Sequence, residues 1–145
     1  PSLNTHNDMQ RFDKVRSRVR FESVDCETSR GESCNVTARL EWNGETYPAT
    51  ETELETQQGI IKAASQAALA ATLSTTSEQV DLQLVGVKAV RAFDGWVVIV
   101  RLSGHHPEGQ RLLGAAPCET AEELSHAAVQ AVLDATNRVL ERGPE

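Results

Sequence analysis

The chain has no long apolar run, and this excludes one class of protein at the outset. Its apolar stretches, such as 97–100, are far shorter than the roughly 20 residues that cross a bilayer. The opening segment is polar and has no apolar centre of the kind that a secretory signal requires. We therefore expect a protein that is neither membrane-embedded nor exported, and we place it in the cytoplasm.

Positive charge and aromatic residues are also scarce. The 145 residues carry a formal net charge of -7 and only three Phe, two Trp and one Tyr. Nucleic-acid binding needs an excess of basic side chains, and single-strand binding needs stacking aromatics as well, so neither is expected. The exception is a basic entry segment: Arg11, Lys14, Arg16, Arg18 and Arg20. We interpret Arg16, Arg18 and Arg20 as the solvent face of a strand whose inner face carries Val15, Val19 and Phe21, in preference to an anion site.

Cysteine is sparse as well, and its spacing does not indicate a metal site. Cys26, Cys34 and Cys118 form no CxxC pair. Cys26 and Cys34 flank a predicted turn, so a disulfide between them would be within reach in an oxidising compartment. Free thiols are the expected state in a cytoplasmic protein.

The motifs of common enzyme classes are missing. The chain has no GxGxxG, no phosphate-binding loop, no nucleophile elbow and no pair of carboxylates spaced for acid–base catalysis. His105 and His106 are adjacent in a Gly- and Pro-containing loop, which is a poor arrangement for one metal ion. Cys118 precedes a predicted helix whose dipole would lower its thiol pKa, but no histidine lies near it in sequence. We therefore predict no catalytic or metal-binding residues.

The clearest feature that is present is an internal near-repeat. Segments 36–71 and 98–135 each predict a strand, a polar turn, a strand and an Ala-rich helix. Aligning Arg39-Leu40 with Arg101-Leu102 superimposes the strands at an offset of 62, and an offset of about 65 aligns the helices. Such a duplication predicts two halves related by a pseudo-twofold axis, with a ligand or partner site at their junction.

The full pattern of elements predicts an α+β fold. Alternation of apolar and polar residues predicts six strands, at about 17–27, 35–42, 45–50, 80–90, 96–102 and 111–116. Asn43-Gly44 and Phe93-Asp94-Gly95 predict hairpin turns. Apolar residues at intervals of three and four predict helices over 57–73 and 119–142, capped by Thr56 and Thr120. The order βββα-βββα predicts a two-layer sandwich, with one antiparallel sheet covered on one face by both helices.

Composition also suggests the domain organisation. Residues 1–16 lack periodicity and are expected to form a tail or linker. Residues 17–145 are expected to form a single domain of two repeats, at about 17–75 and 79–142, a length that suits one core.

Several segments resemble a known family. They are 38–45 (ARLEWNGE), 111–116 (RLLGAA) and 127–140 (AAVQAVLDATNRVL). Together with the βββα-βββα order, they resemble the C-terminal regulatory domain of 2-isopropylmalate synthase, shared with citramalate synthase, over about residues 18–140. The family's Gly-x-Gly-Pro loop before the first helix is replaced here by 54–59 (LETQQG), with one glycine and no proline. The resemblance implies a regulatory or dimerisation module without the catalytic barrel of the synthase.

A ligand pocket is expected where the two strand-to-helix turns meet. The residues predicted to line it are Gln57, Gln58, Gly59, Pro117, Cys118, Glu119 and Thr120. Free N–H groups at the two helix N-termini would favour a carboxylate there. We thus expect a homodimeric, non-catalytic regulatory domain with a small carboxylate or amino-acid effector and no cofactor. The alternatives are a protein-interaction module without a ligand and, less favoured, a thiol-dependent enzyme using Cys118.

Overall fold

A computed structural model describes residues 18–28, 31–76, 80–104 and 111–137. These residues form six strands and two helices: β1 (Arg20–Thr28), β2 (Ser33–Trp42), β3 (Glu45–Leu54), α1 (Gln57–Leu73), β4 (Leu82–Ala92), β5 (Gly95–Gly104), β6 (Arg111–Cys118) and α2 (Leu124–Asn137). One turn of 3-10 helix, Ala121–Glu123, precedes α2. The α+β class and the order of the elements agree with the prediction from sequence. No helix within the described ranges has the length and apolar character to span a membrane.

The strands form two separate antiparallel sheets, where the sequence predicted a single one. Sheet 1 has the order β1-β2-β3 and sheet 2 has the order β4-β5-β6. Side chains from the helices bond to backbone groups at an edge of each sheet. Asn137 bonds both backbone groups of Val19, and the Gln58 amide donates to the Val87 carbonyl at 3.0 Å. These backbone groups are therefore satisfied without a strand from the other sheet.

Local sequence signals fix the turns and the irregularities. Asn43 and Gly44 have φ of 56° and 83°, and Phe93 and Asp94 have φ of 54° and 60°, so both predicted hairpin turns are confirmed. The register of β4 shifts at a bulge between Leu84 and Gly86. A second bulge, between positions 21 and 23 of β1, was not predicted.

β3 is longer than predicted. The sequence predicted a strand over about 45–50, but β3 continues to Leu54. Pro48 is tolerated because β3 is an edge strand, where one side of the backbone has no partner strand. Apolar alternation does not predict this extension, because Glu51 and Glu53 occupy the helix-facing positions where apolar residues would be expected. Glu53 forms an ion pair with Lys62 of α1 at 3.7 Å.

The core lies between the helices and the inner faces of the two central strands. Val36 and Leu40 of β2 and Val98 and Leu102 of β5 are fully buried. α1 contacts β2 and β3 and also β4, whereas α2 contacts β5 and β6 and also β1. The helices also contact each other, since alanines fill much of their buried surface and allow close approach. Each helix is thus buried around most of its circumference and leaves only a narrow polar stripe.

Candidate functional site

A cleft of about 890 Å³ opens beside the polar stripe of α2. One wall comes from β1 and the residues leading into it, and the other comes from β6 and the turn after it. The polar side chains among its lining residues are Arg18, Arg20, Glu119, Glu123, His126, Gln130, Asp134 and Asn137. Its volume lies within the range of small-molecule sites. Because β1 belongs to the first half and β6 and α2 to the second, the cleft lies at the junction of the halves.

Helix side chains bond to both strand edges that border this cleft. The Asn137 Oδ1 atom accepts from the Val19 N–H at 3.2 Å, and its Nδ2 donates to the Val19 carbonyl at 3.0 Å. On the other wall, the Asp134 carboxylate accepts from the Ala115 N–H at 3.1 Å, and Pro117 has no N–H to offer. An added peptide strand would find these backbone groups occupied or missing. The cleft therefore presents side chains rather than open strand edges.

An aromatic pair lies within the cleft. The His126 ring stacks on Phe21, with ring centroids 4.0 Å apart and planes inclined by 21°. The Nε2 atoms of His126 and Gln130 are 3.4 Å apart, one helical turn along the same stripe. The pair joins β1 to α2 and offers a flat apolar surface beside a polar amide.

Glu123 closes the N-terminal end of α2. Its Oε1 atom accepts from the backbone N–H groups of Thr120 and Glu119, each at 3.1 Å, and from the Thr120 hydroxyl at 3.2 Å. These bonds, the Thr120 N–H foremost, hold the pKa of the Glu123 carboxyl below its usual value. The predicted capping box is thus present. It places the chain's own carboxylate where a ligand carboxylate was expected to bind.

Cys118 does not have the lowered pKa that its position before a helix suggested. Burial of the thiol, followed by the nearby Glu123 carboxylate, raises its pKa. The thiol also lies 3.5 Å from the Thr120 carbonyl, which can accept its hydrogen. The expected effect of the helix dipole is outweighed by burial of the thiol, to which the Glu123 carboxylate at the start of the helix adds.

The predicted pocket residues divide between the cleft and the first helix turn. Pro117, Cys118 and Glu119 line the cleft, whereas Gln57, Gln58, Gly59 and Thr120 are not among its lining residues. Gln58 bonds Val87 of β4, and the Gly59 N–H donates to the Thr56 hydroxyl at 2.9 Å, which confirms the predicted cap. A Cβ atom at Gly59 would lie 2.0 Å from the Leu54 carbonyl oxygen. Gly59 is therefore required for packing, and its replacement would not test ligand binding.

Other predicted candidates lie outside the described residues. These are the His105-His106 pair and, in the basic segment, Arg11, Lys14 and Arg16. Of that segment, Arg18 and Arg20 are exposed, while Val19 is buried and Phe21 half-buried. Burial alternates as predicted for a strand, but both arginines also line the cleft. Within the described ranges, no cluster of His, Cys, Asp or Glu is arranged to hold a metal ion.

Sequence reasoning missed the stripe of α2 that lines the cleft. His126, Gln130 and Asp134 recur at intervals of four along an otherwise apolar helix. A helix buried around most of its circumference keeps a polar stripe only where it borders a cleft or solvent. That spacing was the available signal, but the contribution of Phe21 from β1 was not readable from it.

A second surface stands out on the outer face of sheet 2, the face turned away from the helices. Val90, Ile99 and Leu113 there are 37%, 38% and 57% exposed. The outer face of sheet 1 instead carries polar cross-strand pairs, such as Thr37 with Thr50 and Arg39 with Asp25, each 2.7 Å apart. One sheet therefore has a solvated outer face and the other an apolar one.

Comparison with known proteins does not assign the chain to a family. No protein-family model matches the sequence, and no curated protein matches it at a significant level.

Proposed function

We propose that this chain is a non-catalytic regulatory domain that senses a small carboxylate or amino acid at the junction of its two halves. Its role would be similar to that of the regulatory domain of 2-isopropylmalate synthase and citramalate synthase, which its sequence resembles. The single observation that carries the proposal is the cleft of about 890 Å³ that β1, β6 and α2 enclose.

The lining of the cleft suits a ligand that carries charge of both signs. Arg18 and Arg20 supply two guanidinium groups, and Glu119 and Asp134 supply carboxylates. Guanidinium groups pair with carboxylates in a bidentate manner, and carboxylates accept from ammonium groups. The stacked ring of Phe21 adds apolar area for an aliphatic chain. Branched-chain amino acids are the class that fits best, whereas short-chain keto acids, which lack an ammonium group, would use the guanidinium groups alone.

A thermal-shift measurement tests this proposal. A ligand that binds only the native state raises the melting temperature. We expect a branched-chain amino acid or short-chain keto acid to stabilise the chain, and Arg20→Ala and Gln130→Ala to abolish that shift. Arg39→Ala, which removes a strand arginine on the outer face of sheet 1, away from the cleft and from the outer face of sheet 2, should leave it unchanged. If no compound of these classes shifts the melting temperature, or if all three variants respond like the parent, the proposal is wrong.

The proposal includes an origin by duplication, with two βββα halves related by a pseudo-twofold axis in a two-layer arrangement. Three parallels between the halves support it. β1 and β4 both contain a bulge, each helix begins after an extended threonine, and each helix also reaches the first strand of the other sheet. A site shared by both halves is a natural consequence of such an architecture.

The apolar outer face of sheet 2 favours a second function, assembly. Exposed apolar faces of this kind are often covered by a partner in the functional state. We propose homodimerisation through this face, in line with the resemblance to a dimerisation module. The oligomeric state of the chain tests it.

A further inference from the structure

Two cysteines on the β1–β2 hairpin are neighbours on one face of sheet 1. Cys26 lies opposite Val36, and Cys34 lies opposite Thr28. Because side chains alternate between the faces of a strand, the two cysteines share the helix-facing side as diagonal neighbours. Both are free, and Cys26 lies close enough to Cys34 to contribute to the raised pKa of the Cys34 thiol. The two side chains are therefore neighbours before any bond forms between them.

The environments of the two thiols differ. Cys26 is exposed, whereas Cys34 is 0% exposed, with its sulfur 3.9 Å from the Leu54 carbonyl oxygen. Burial raises the pKa of Cys34 to about 11, with further contributions from Cys26 and from the carboxylates of Glu55 and Glu53. A solvent-borne oxidant thus meets Cys26 first, and Cys34 stays a thiol until an electrophilic sulfur forms beside it.

We propose that Cys26 and Cys34 form an oxidation site that takes a hydroperoxide and converts it into an intramolecular disulfide. This inference goes beyond the proposed ligand-sensing function, because neither cysteine lines the cleft. It gives the pair a defined order of reaction, with Cys26 as the thiol that is oxidised and Cys34 as the thiol that resolves it.

The chemistry balances in two steps. In the first, the Cys26 thiolate attacks one oxygen of hydrogen peroxide, the O–O bond breaks, and the leaving hydroxide takes up a proton to become water. Cys26 is then a sulfenic acid. In the second step, the Cys34 sulfur attacks the Cys26 sulfur, the S–O bond breaks, and the leaving hydroxide takes the Cys34 proton. Two thiols are oxidised to one disulfide while one peroxide is reduced to two waters, and a dithiol reductant reverses the change.

The disulfide would tie β1 to the central strand of sheet 1. β1 also carries Arg20 and Phe21, which line the cleft. Oxidation of the two cysteines would therefore restrain one wall of the cleft without placing a group inside the cleft.

Mass spectrometry of the full chain tests the inference. The chain is treated with hydrogen peroxide, and the remaining thiols are then alkylated. For the parent and for Cys118→Ser, we expect the mass to show the loss of two hydrogen atoms. Dithiothreitol should reverse this loss. Peptide mapping should join Cys26 to Cys34. Cys26→Ser and Cys34→Ala should form no intramolecular disulfide. Dimedone should label Cys26 in Cys34→Ala, because the sulfenic acid then has no partner.

Three results would overturn the inference. They are a disulfide that contains Cys118, a bond between two chains, and gain of oxygen without loss of hydrogen. Substitution of the buried Cys34 could disturb folding, so circular dichroism of each variant accompanies the assay. Cys26→Ser, at an exposed position, tests the pair independently of that risk. Cys26→Ser and Cys34→Ala alter no cleft residue, so their outcome is separate from that of the ligand screen.

Discussion

At the scale of single residues, two glycines are required by contacts that local sequence does not reveal. Gly114 of β6 lies against α2, where an added Cβ would be 2.0 Å from the Ala131 carbonyl oxygen and 2.8 Å from the Ala135 nitrogen. Gly59 is in a similar position against Leu54. Since backbone atoms cannot swing aside as side chains can, any larger residue must push the strand and the helix apart.

We therefore expect Gly114→Ala to lower the free energy of unfolding by about 3 kcal/mol, at the upper end of the usual overpacking effect. Urea denaturation at neutral pH measures it. Gly86→Ala is the matched control, because a Cβ at this strand glycine would meet nothing within 4 Å. Equal stability of the two variants would show that β6 and α2 can separate without cost.

The lowered pKa of Glu123 leads to a prediction about pH. A carboxyl group whose pKa is lower in the folded state contributes stability above its unfolded pKa, about 4.3, and loses that contribution as the pH falls through the folded pKa. We expect Glu123→Gln to have a lower melting temperature than the parent at pH 7, and the difference to close in acid. Glu122→Gln, which changes a neighbouring carboxylate outside the capping box, is the control. A difference that is independent of pH would contradict the assignment.

The residues that could be predicted from sequence are those whose partners are their chain neighbours. Thr56 as a cap, Asn43-Gly44 as a turn and Glu123 in a capping box all follow rules that span three or four positions. Other features depend on distant residues or on burial. They are the need for glycine at position 114, the stacking of Phe21 on His126 and the raised pKa of Cys118. No local pattern encodes them.

At the scale of elements, side chains from the helices satisfy the edges of the strands. The amide of Asn137 bonds both backbone groups of Val19, and the Gln58 amide bonds Val87 across the other junction. Unpaired edges invite pairing with other chains, so these contacts protect the sheets as well as position them. Hydrophobic alternation located the six strands but could not predict where one sheet ends, because that depends on side chains from distant helices.

We expect Asn137→Ala to lower the free energy of unfolding by about 1–2 kcal/mol, since it leaves the N–H of the buried Val19 without its partner. Hydrogen exchange at the Val19 amide should accelerate more than exchange in β2. Asn35→Ala, which removes an amide bonded to the exposed hydroxyl of Thr52, serves as the control. Unchanged exchange at Val19 would show that β1 is held by its pairing with β2 alone.

At the scale of the whole molecule, the two sheets differ in the types of residue that their outer faces expose to solvent. The outer face of sheet 1 has hydroxyl, amide and charged pairs, whereas sheet 2 places Ile99 between Lys88 and Ala115, and Val97 between Val90 and Pro117. An antiparallel sheet with one core-packed face usually carries polar residues on the other. The predicted strand 96–102 contains the apolar run 97–100. β5 is the central strand of sheet 2, and part of this apolar run lies on the outer face.

Assembly through this face predicts that a charge placed on it separates the subunits. We expect the parent chain to be a dimer by light scattering coupled to size exclusion. Val90→Glu and Val97→Glu, whose cross-strand neighbours are apolar, should be monomers with an unchanged circular dichroism spectrum. A buried carboxylate without a partner opposes association strongly, so a single substitution should be enough. Thr50→Glu, on the solvated face of sheet 1, controls for added charge and should remain dimeric.

A monomeric parent at high concentration would remove the case for a homodimer and leave the apolar face to a different protein. A dimer that survives both substitutions would place the interface elsewhere, and the stripe of α2 beside the cleft would then be the next surface to test.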